Sequence, residues 1–157
     1  MFKKVCMAVA LVGMSAFGMN AVAQSEQVLS PTVFMDQWEQ PQALSSDTKW
    51  LIFTADKQSG KWVKETLETM DVKDMAAKNW LYVADVSGMP SFITKFMAIP
   101  KMKDYAFPIA LEREGVASSE WPKQEDSVNI YELNNLVIQK VHTLTSAEDV
   151  SAFLKSM

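Results

Sequence analysis

WLIFTADKQSGKWVKETLETM, residues 50–70, changes its hydrophobic period halfway along. Trp50 to Ala55 is a near-continuous apolar run with a β-branched centre, the pattern of a strand buried on both faces and typically parallel to its neighbours. After the turn Asp56-Lys57-Gln58-Ser59-Gly60, the residues Trp62, Val63, Leu67 and Met70 recur at helical spacing with Lys and Glu between them. Ser59 is expected to cap that helix. Lys61 with Glu65, and Lys64 with Glu68, are expected to pair across one turn, in the less favourable order.

Downstream, WLYVADV (residues 80–86) predicts a second strand. Gly88 and Pro90 punctuate. A helix then carries Phe92, Ile93, Phe96 and Met97, and Pro100 is expected to end it. Phe107-Pro108 leads into the apolar run Ile109–Leu111. Residues 113–126 are polar with Gly and Pro and read as a surface insertion. SVNIYEL and LVIQKVHTL flank Asn134-Asn135, which predicts a hairpin with a tight turn, because Asn tolerates positive φ. In the last segment Thr145 or Ser146 caps a helix, Glu148 and Asp149 suit its first turn, and Val150, Phe153 and Leu154 form its apolar stripe.

Upstream, PTVFMDQWEQPQ predicts a short helix that packs Phe34 and Trp38 on one face and stops near Pro41. Lys3 and Lys4, the uncharged apolar run from Val5 to Phe17 and the small residues Ala21-Val22-Ala23 read as a secretory signal peptide, 1–23, cleaved after Ala23. A lead-in, 24–49, and one domain, 50–157, follow. The expected location is the periplasm or the exterior, with no stable membrane anchor after cleavage. Cys6 is the chain's one cysteine, and cleavage would remove it. The net charge is −4 with acids and bases interspersed, so no basic stripe suggests nucleic acid and no polybasic patch suggests a membrane surface.

Strand, helix, strand, helix, Phe-Pro strand, hairpin and helix is an order that resembles the thioredoxin fold. Three stretches carry the resemblance: LIFTADKQSGKW, AFPIAL and YELNNLVIQKVHTLTSAEDVSAFL. It implies an α/β three-layer sandwich, a central mixed sheet of about four to five strands flanked by helices, with a loop insertion near 113–126. It also implies that Pro108 is cis and faces the start of the first core helix. The family carries Cys-x-x-Cys at that helix start, where a stabilised thiolate exchanges disulfides. Here the same window, Lys57–Lys61, has a serine and no thiol. No catalytic residue is carried over.

Other chemistry is weakly signalled. Ser59 as a nucleophile needs a positioned base, and the one histidine, His142, falls on the far hairpin strand. His142 alone does not make a metal site, and Met35, Met70, Met75, Met89, Met97, Met102 and Met157 form no copper-type cluster. No metal and no cofactor is expected. Asp56, Asp85 and Asp104 stand near strand ends, where carboxylates serve either acid–base chemistry or turns. Trp121, in the polar insertion, is the tryptophan expected to be most exposed.

These observations point to an exported, redox-inactive binding or accessory protein. Its expected partner is an envelope protein or peptide, or a small ligand, met by Lys57, Gln58, Ser59, Gly60, Met89, Pro90, Phe107, Pro108 and Trp121. The alternative is a non-thiol enzyme using strand-end carboxylates.

Overall fold

The computed structural model describes residues 26–157. The expected signal peptide, its expected cleavage point and Cys6 lie outside the described residues. The order is β1 (Thr32–Met35), β2 (Pro41–Leu44), β3 (Trp50–Thr54), α1 (Lys57–Thr69), β4 (Trp80–Asp85), α2 (Ser91–Ile93), a π-turn (Thr94–Ala98), α3 (Ile99–Met102), β5 (Ala110–Glu112), β6 (Val128–Asn134), β7 (Val137–Leu144) and α4 (Ala147–Ser156). The strands form one 7-stranded mixed sheet ordered β2-β1-β5-β4-β3-β6-β7. The expected four to five strands are exceeded because the N-terminal segment joins the sheet.

That segment is a hairpin, not the short helix its spacing suggests. Phe34 pairs with Gln42 and Met35 with Pro41 across β1 and β2. The turn is held by Asp36, whose Oδ1 accepts from the N–H groups of Trp38 and Gln40 at 2.8 and 2.9 Å. An Asx turn competes locally with helix, and the sheet edge beside β5 supplies the pairing that settles the competition.

Strands β3 and β4 are parallel, as are β4 and β5, and they are neighbours in that order. Right-handed crossovers taken twice in one direction place both connecting helices on the same face. Accordingly Val63 and Leu67 of α1, Val150 and Leu154 of α4, and the partly buried Ile99 and Met102 of α3 pack with Ile52, Tyr82, Val86, Ile109 and Ile130. Among the described residues the opposite face is covered by loops and by strands β1 and β2 rather than by a helical layer. Leu29, Phe34, Leu44 and Trp121 close it over Leu51, Phe53, Leu81, Val83 and Tyr131.

The insertion explains that asymmetry. The chain must travel from β5 back across β4 and β3 to reach β6, and the face without helices is the open route. Trp121 is therefore buried, 5% exposed, not the exposed tryptophan its polar surroundings suggest. It stands edge-on to Phe53, Tyr131 and Phe34 at centroid distances of 5.4, 6.0 and 6.4 Å. Tyr131 Oη donates to the Pro122 carbonyl at 2.8 Å and pins the crossing.

Helix ends differ in detail from the sequence reading. Asp56 is the N-cap of α1 and accepts from Ser59 N–H at 2.8 Å; Ser59 is three residues inside the helix. Pro100 does not end its helix. The preceding turn widens to π geometry, with Ile99 N–H bonded to the Thr94 carbonyl. This accommodates a ring that would clash with the carbonyl four residues back, and α3 continues to Met102. Phe92, Phe96 and Met97 point outward, 62%, 70% and 64% exposed. The hairpin turn is Asn135-Leu136, both at positive φ, and Ser146 caps α4.

Candidate functional site

Parallel strands β3, β4 and β5 end at one edge of the sheet, where open α/β sheets offer loops to ligands. Three connections gather there: the start of α1, the turn 86–90 and the turn 113–118. Each carboxylate near these ends has a local task. Asp56 caps α1 and also accepts from Ser59 Oγ at 2.5 Å. Asp85 Oδ1 accepts from Ser87 N–H at 2.9 Å. Glu112, 4% exposed, accepts from Gly115 N–H at 3.0 Å and from the N–H groups of Glu114 and Ser118 at 3.3 Å.

Ser59 is fully buried and tied to Asp56, so its hydroxyl is a cap element inside the helix. His142 is on the edge strand β7, with Nε2 2.7 Å from Glu132 Oε2 and its ring 4.5 Å from that of Phe153. Beneath α1, the Tyr82 hydroxyl is 2.9 Å from Thr54 Oγ1, and both face Gly60. Burial pushes the Tyr82 hydroxyl up to about 12, against the opposing pull of the Thr54 hydrogen bond, with smaller upward contributions from Tyr105 and Asp56. This closed, neutral cluster occupies the space under the helix start.

The nine residues singled out from the sequence do not gather at one place. Lys57 and Gln58 are exposed at the start of α1, and Met89 and Pro90 stand at the turn after β4; adjacency of β3 and β4 puts these on one edge. Phe107 is fully buried and Trp121 nearly so, and both belong to the core. Ser59 and the half-buried Gly60 support the helix from inside.

Pro108 is not where the resemblance places it. No peptide bond among the described residues is cis. Its strand, β5, is separated from β3 by β4. The register Thr54–Ala84–Leu111 leaves Pro108 three residues below Thr54, the last residue of β3 before the helix start, roughly 10 Å along the strands and about 10 Å across them. The pairing of Phe53 with Asn129, continued two residues, brings Ser127 beside Ala55 instead. Asn129, 1% exposed, holds that approach: Oδ1 accepts from Gln124 N–H and Nδ2 donates to the Gln124 carbonyl, each at 3.1 Å.

A cleft of about 790 Å³ opens at this edge beside Met89. Gln37 and Glu39 of the hairpin turn, Ser87, Ser91, Thr94, Lys95, Ile99, Lys103 and Arg113 line it. Its far wall is fixed by the hairpin turn. Gln37 Nε2 donates to the Phe107 carbonyl at 2.7 Å and to the Met102 carbonyl at 3.3 Å, and Trp38 Nε1 donates to the Lys103 carbonyl at 3.3 Å. Sequence reasoning passed over Lys95, Lys103 and Arg113. One trace was legible: Met89 to Lys103 holds three lysines and no acid in an acidic chain. Among the described residues no group of three or more His, Cys, Asp or Glu side chains could hold a metal ion, and no helix is long and apolar enough to cross a membrane.

No family profile matches the chain, and no curated relative does. Solved structures do. A protein assigned as the thiol:disulfide interchange protein DsbE from Chlorobium tepidum superposes with a TM-score of 0.57 at 15% identity, covering 83% of this chain and 92% of its own. StoA from Bacillus subtilis gives 0.55 at 11% identity, covering 81% and 98%. The thioredoxin domain of a thiol-disulfide oxidoreductase from Bacteroides vulgatus gives 0.52 at 12% identity, covering 83% and 95%. At such identities the likeness concerns the fold.

Proposed function

The chain has a thioredoxin-like α/β fold, and we propose that it serves as an exported, redox-inactive binding or accessory module. The observation that carries this reading is the start of α1. Where the resemblance expects an open dithiol, Ser59 is fully buried and bonded to Asp56. A serine hydroxyl has neither the acidity nor the two-electron couple of a thiol, and the chain's one cysteine, Cys6, has no second thiol with which to close a disulfide. What the scaffold retains at that edge is shape. Lys57, Gln58, Met89 and Pro90 border exposed loops, and loops on a rigid sheet are the usual place for recognition. A protein segment or small ligand of the cell envelope is the proposed partner. The enzyme alternative loses its support in the local tasks of Asp56 and Asp85, each already bonded to a backbone N–H of its own turn.

The test is capture from an envelope extract by the wild-type protein and by a Lys57→Glu/Gln58→Arg/Met89→Ala variant, read by mass spectrometry. Partners retained by the wild type and lost by the variant are the expected result. Equal capture by both proteins would remove this edge as the recognition surface.

A further inference from the structure

We propose that the 790 Å³ cleft beside Met89 is a site for a carboxylate-bearing ligand, gripped by Lys95, Lys103 and Arg113. The inference rests on the binding-module reading and names the chemistry of its ligand.

Charge is the first argument. The chain has 15 basic and 19 acidic residues, so a local excess of cations runs against its composition. The ion pairs among the described residues are Lys61–Glu65, Lys64–Glu68, Lys73–Asp71 and His142–Glu132. Lys95, Lys103 and Arg113 line the same cleft, all exposed and in none of these pairs, and Glu39 is the only carboxylate lining it. Three like charges held around one concavity repel each other, and an anionic occupant relieves that repulsion.

Composition of the walls is the second. Ser87 and Ser91 offer hydroxyl donors, while Val86, Met89 and Ile99 supply an apolar floor. A guanidinium matches a carboxylate in a two-pronged geometry, and lysines add point charge. Hydrocarbon floor and cationic rim together suit an anion on a carbon skeleton better than an inorganic ion.

The third is rigidity. The hairpin turn is bonded to the adjacent carbonyls of Met102 and Lys103. The turn after Arg113 is caged on buried Glu112 and packs so closely on Ser87 that a Cβ on Gly115 would be 2.8 Å from its Oγ. The π-turn at Thr94–Ala98 sits in the cleft wall, a geometry that often marks functional segments. A wall fixed in advance loses little entropy on binding.

The carboxylate has two sources, a free organic acid or the acidic side chains of a partner segment. Phe92 and Phe96, 62% and 70% exposed on the same helical segment, would add contact only with a peptide.

Amide NMR titration at constant ionic strength tests this with three probes: citrate, inorganic phosphate and an amidated Glu-Glu-Leu-Phe-Glu peptide. Citrate is expected to move amides of residues 87–95, 103 and 113 saturably. A Lys95→Gln/Arg113→Gln variant, whose exposed substitutions leave thermal unfolding unchanged, is expected to weaken binding tenfold or more. A further Phe92→Ser/Phe96→Ser variant separates the sources: weaker peptide binding with unchanged citrate binding identifies a partner segment, and unchanged binding of both identifies a free acid. Absence of saturable shifts from both citrate and peptide, indifference to the charge variant, or phosphate binding as tightly at the same amides overturns the proposal. Saturable shifts centred on Lys57–Gly60 instead would overturn it too, while leaving the binding-module reading standing.

Discussion

Gln37 brackets Pro108: its Nε2 donates to the Phe107 carbonyl and its Oε1 accepts from Ile109 N–H, each at 2.7 Å. Proline has no N–H of its own, so one side chain satisfies the backbone on both sides of it. Gln37 and Phe107 are each fully buried. Gln37→Ala leaves a buried donor and a buried acceptor without partners, at roughly 2–4 kcal/mol for the two. Urea unfolding should show that loss. A change below about 0.5 kcal/mol would mean that water replaces the amide. Gln37→Glu should be as damaging, since a carboxylate cannot donate to the Phe107 carbonyl.

Trp121 separates a surface insertion from a structural one. Its ring is enclosed by Phe34, Phe53 and Tyr131, and truncating a buried aromatic costs about 3–5 kcal/mol. Trp121→Ala should therefore lower the denaturant midpoint steeply. An exposed loop tryptophan would change stability by less than about 0.5 kcal/mol.

Two glycines should respond in opposite directions to alanine. Gly60 lies inside α1, and a Cβ there would be 3.6 Å from Tyr82 Oη, an ordinary contact. Gly60→Ala should stabilise by about 0.5–1 kcal/mol, because alanine loses less backbone entropy in a helix. Gly115 has φ +72° and no room beside Ser87. Gly115→Ala should cost about 1–3 kcal/mol through strain alone. Thermal melts of the two variants, shifting apart from the wild type, would check both.

Alkaline stability follows from two buried tyrosines. Burial raises Tyr82 from 10.0 to about 12 and raises Tyr131 further. Their unfolded hydroxyls ionise from about pH 10, whereas the folded ones stay protonated. The stabilising contribution is thus complete below pH 10 and is lost as pH rises through the folded-state values, at about 1.4 kcal/mol per pH unit for each ring. Stability measured from pH 9 to 12 should fall with that slope, and Tyr82→Phe should make it shallower. Phenolate absorbance from all three tyrosines at pH 10.5 in the folded protein would contradict the burial argument.

The local elements were legible because their causes are local. The period change at residues 50–70 specified β3 and α1. The Lys61–Glu65 and Lys64–Glu68 pairs appear, both at 3.7 Å, and Asn135 takes the positive φ its side chain tolerates. Of the residues proposed for recognition, Lys57, Gln58, Met89 and Pro90 share an edge, whereas Phe107 and Trp121 are core. The two misreadings have separate origins: Trp121 stands in a polar insertion that crosses a face of the sheet and buries its ring there. Phe107-Pro108 looks like an entry to the strand beside the helix start, but strand pairing is chosen by partners distant in sequence, and β5 found β4.

The amino-acid order alone determined an α/β chain of alternating strands and helices with one cysteine, Cys6, because hydrophobic period and composition act through neighbours a few residues apart. Tertiary structure alone decided that residues 32–44 join the sheet, that the insertion carries Trp121 across the helix-free face, and that Lys95, Lys103 and Arg113 meet around one cleft. Each of these depends on which strand lies beside which, and that is set by the burial of apolar faces over the whole sheet rather than by any one segment.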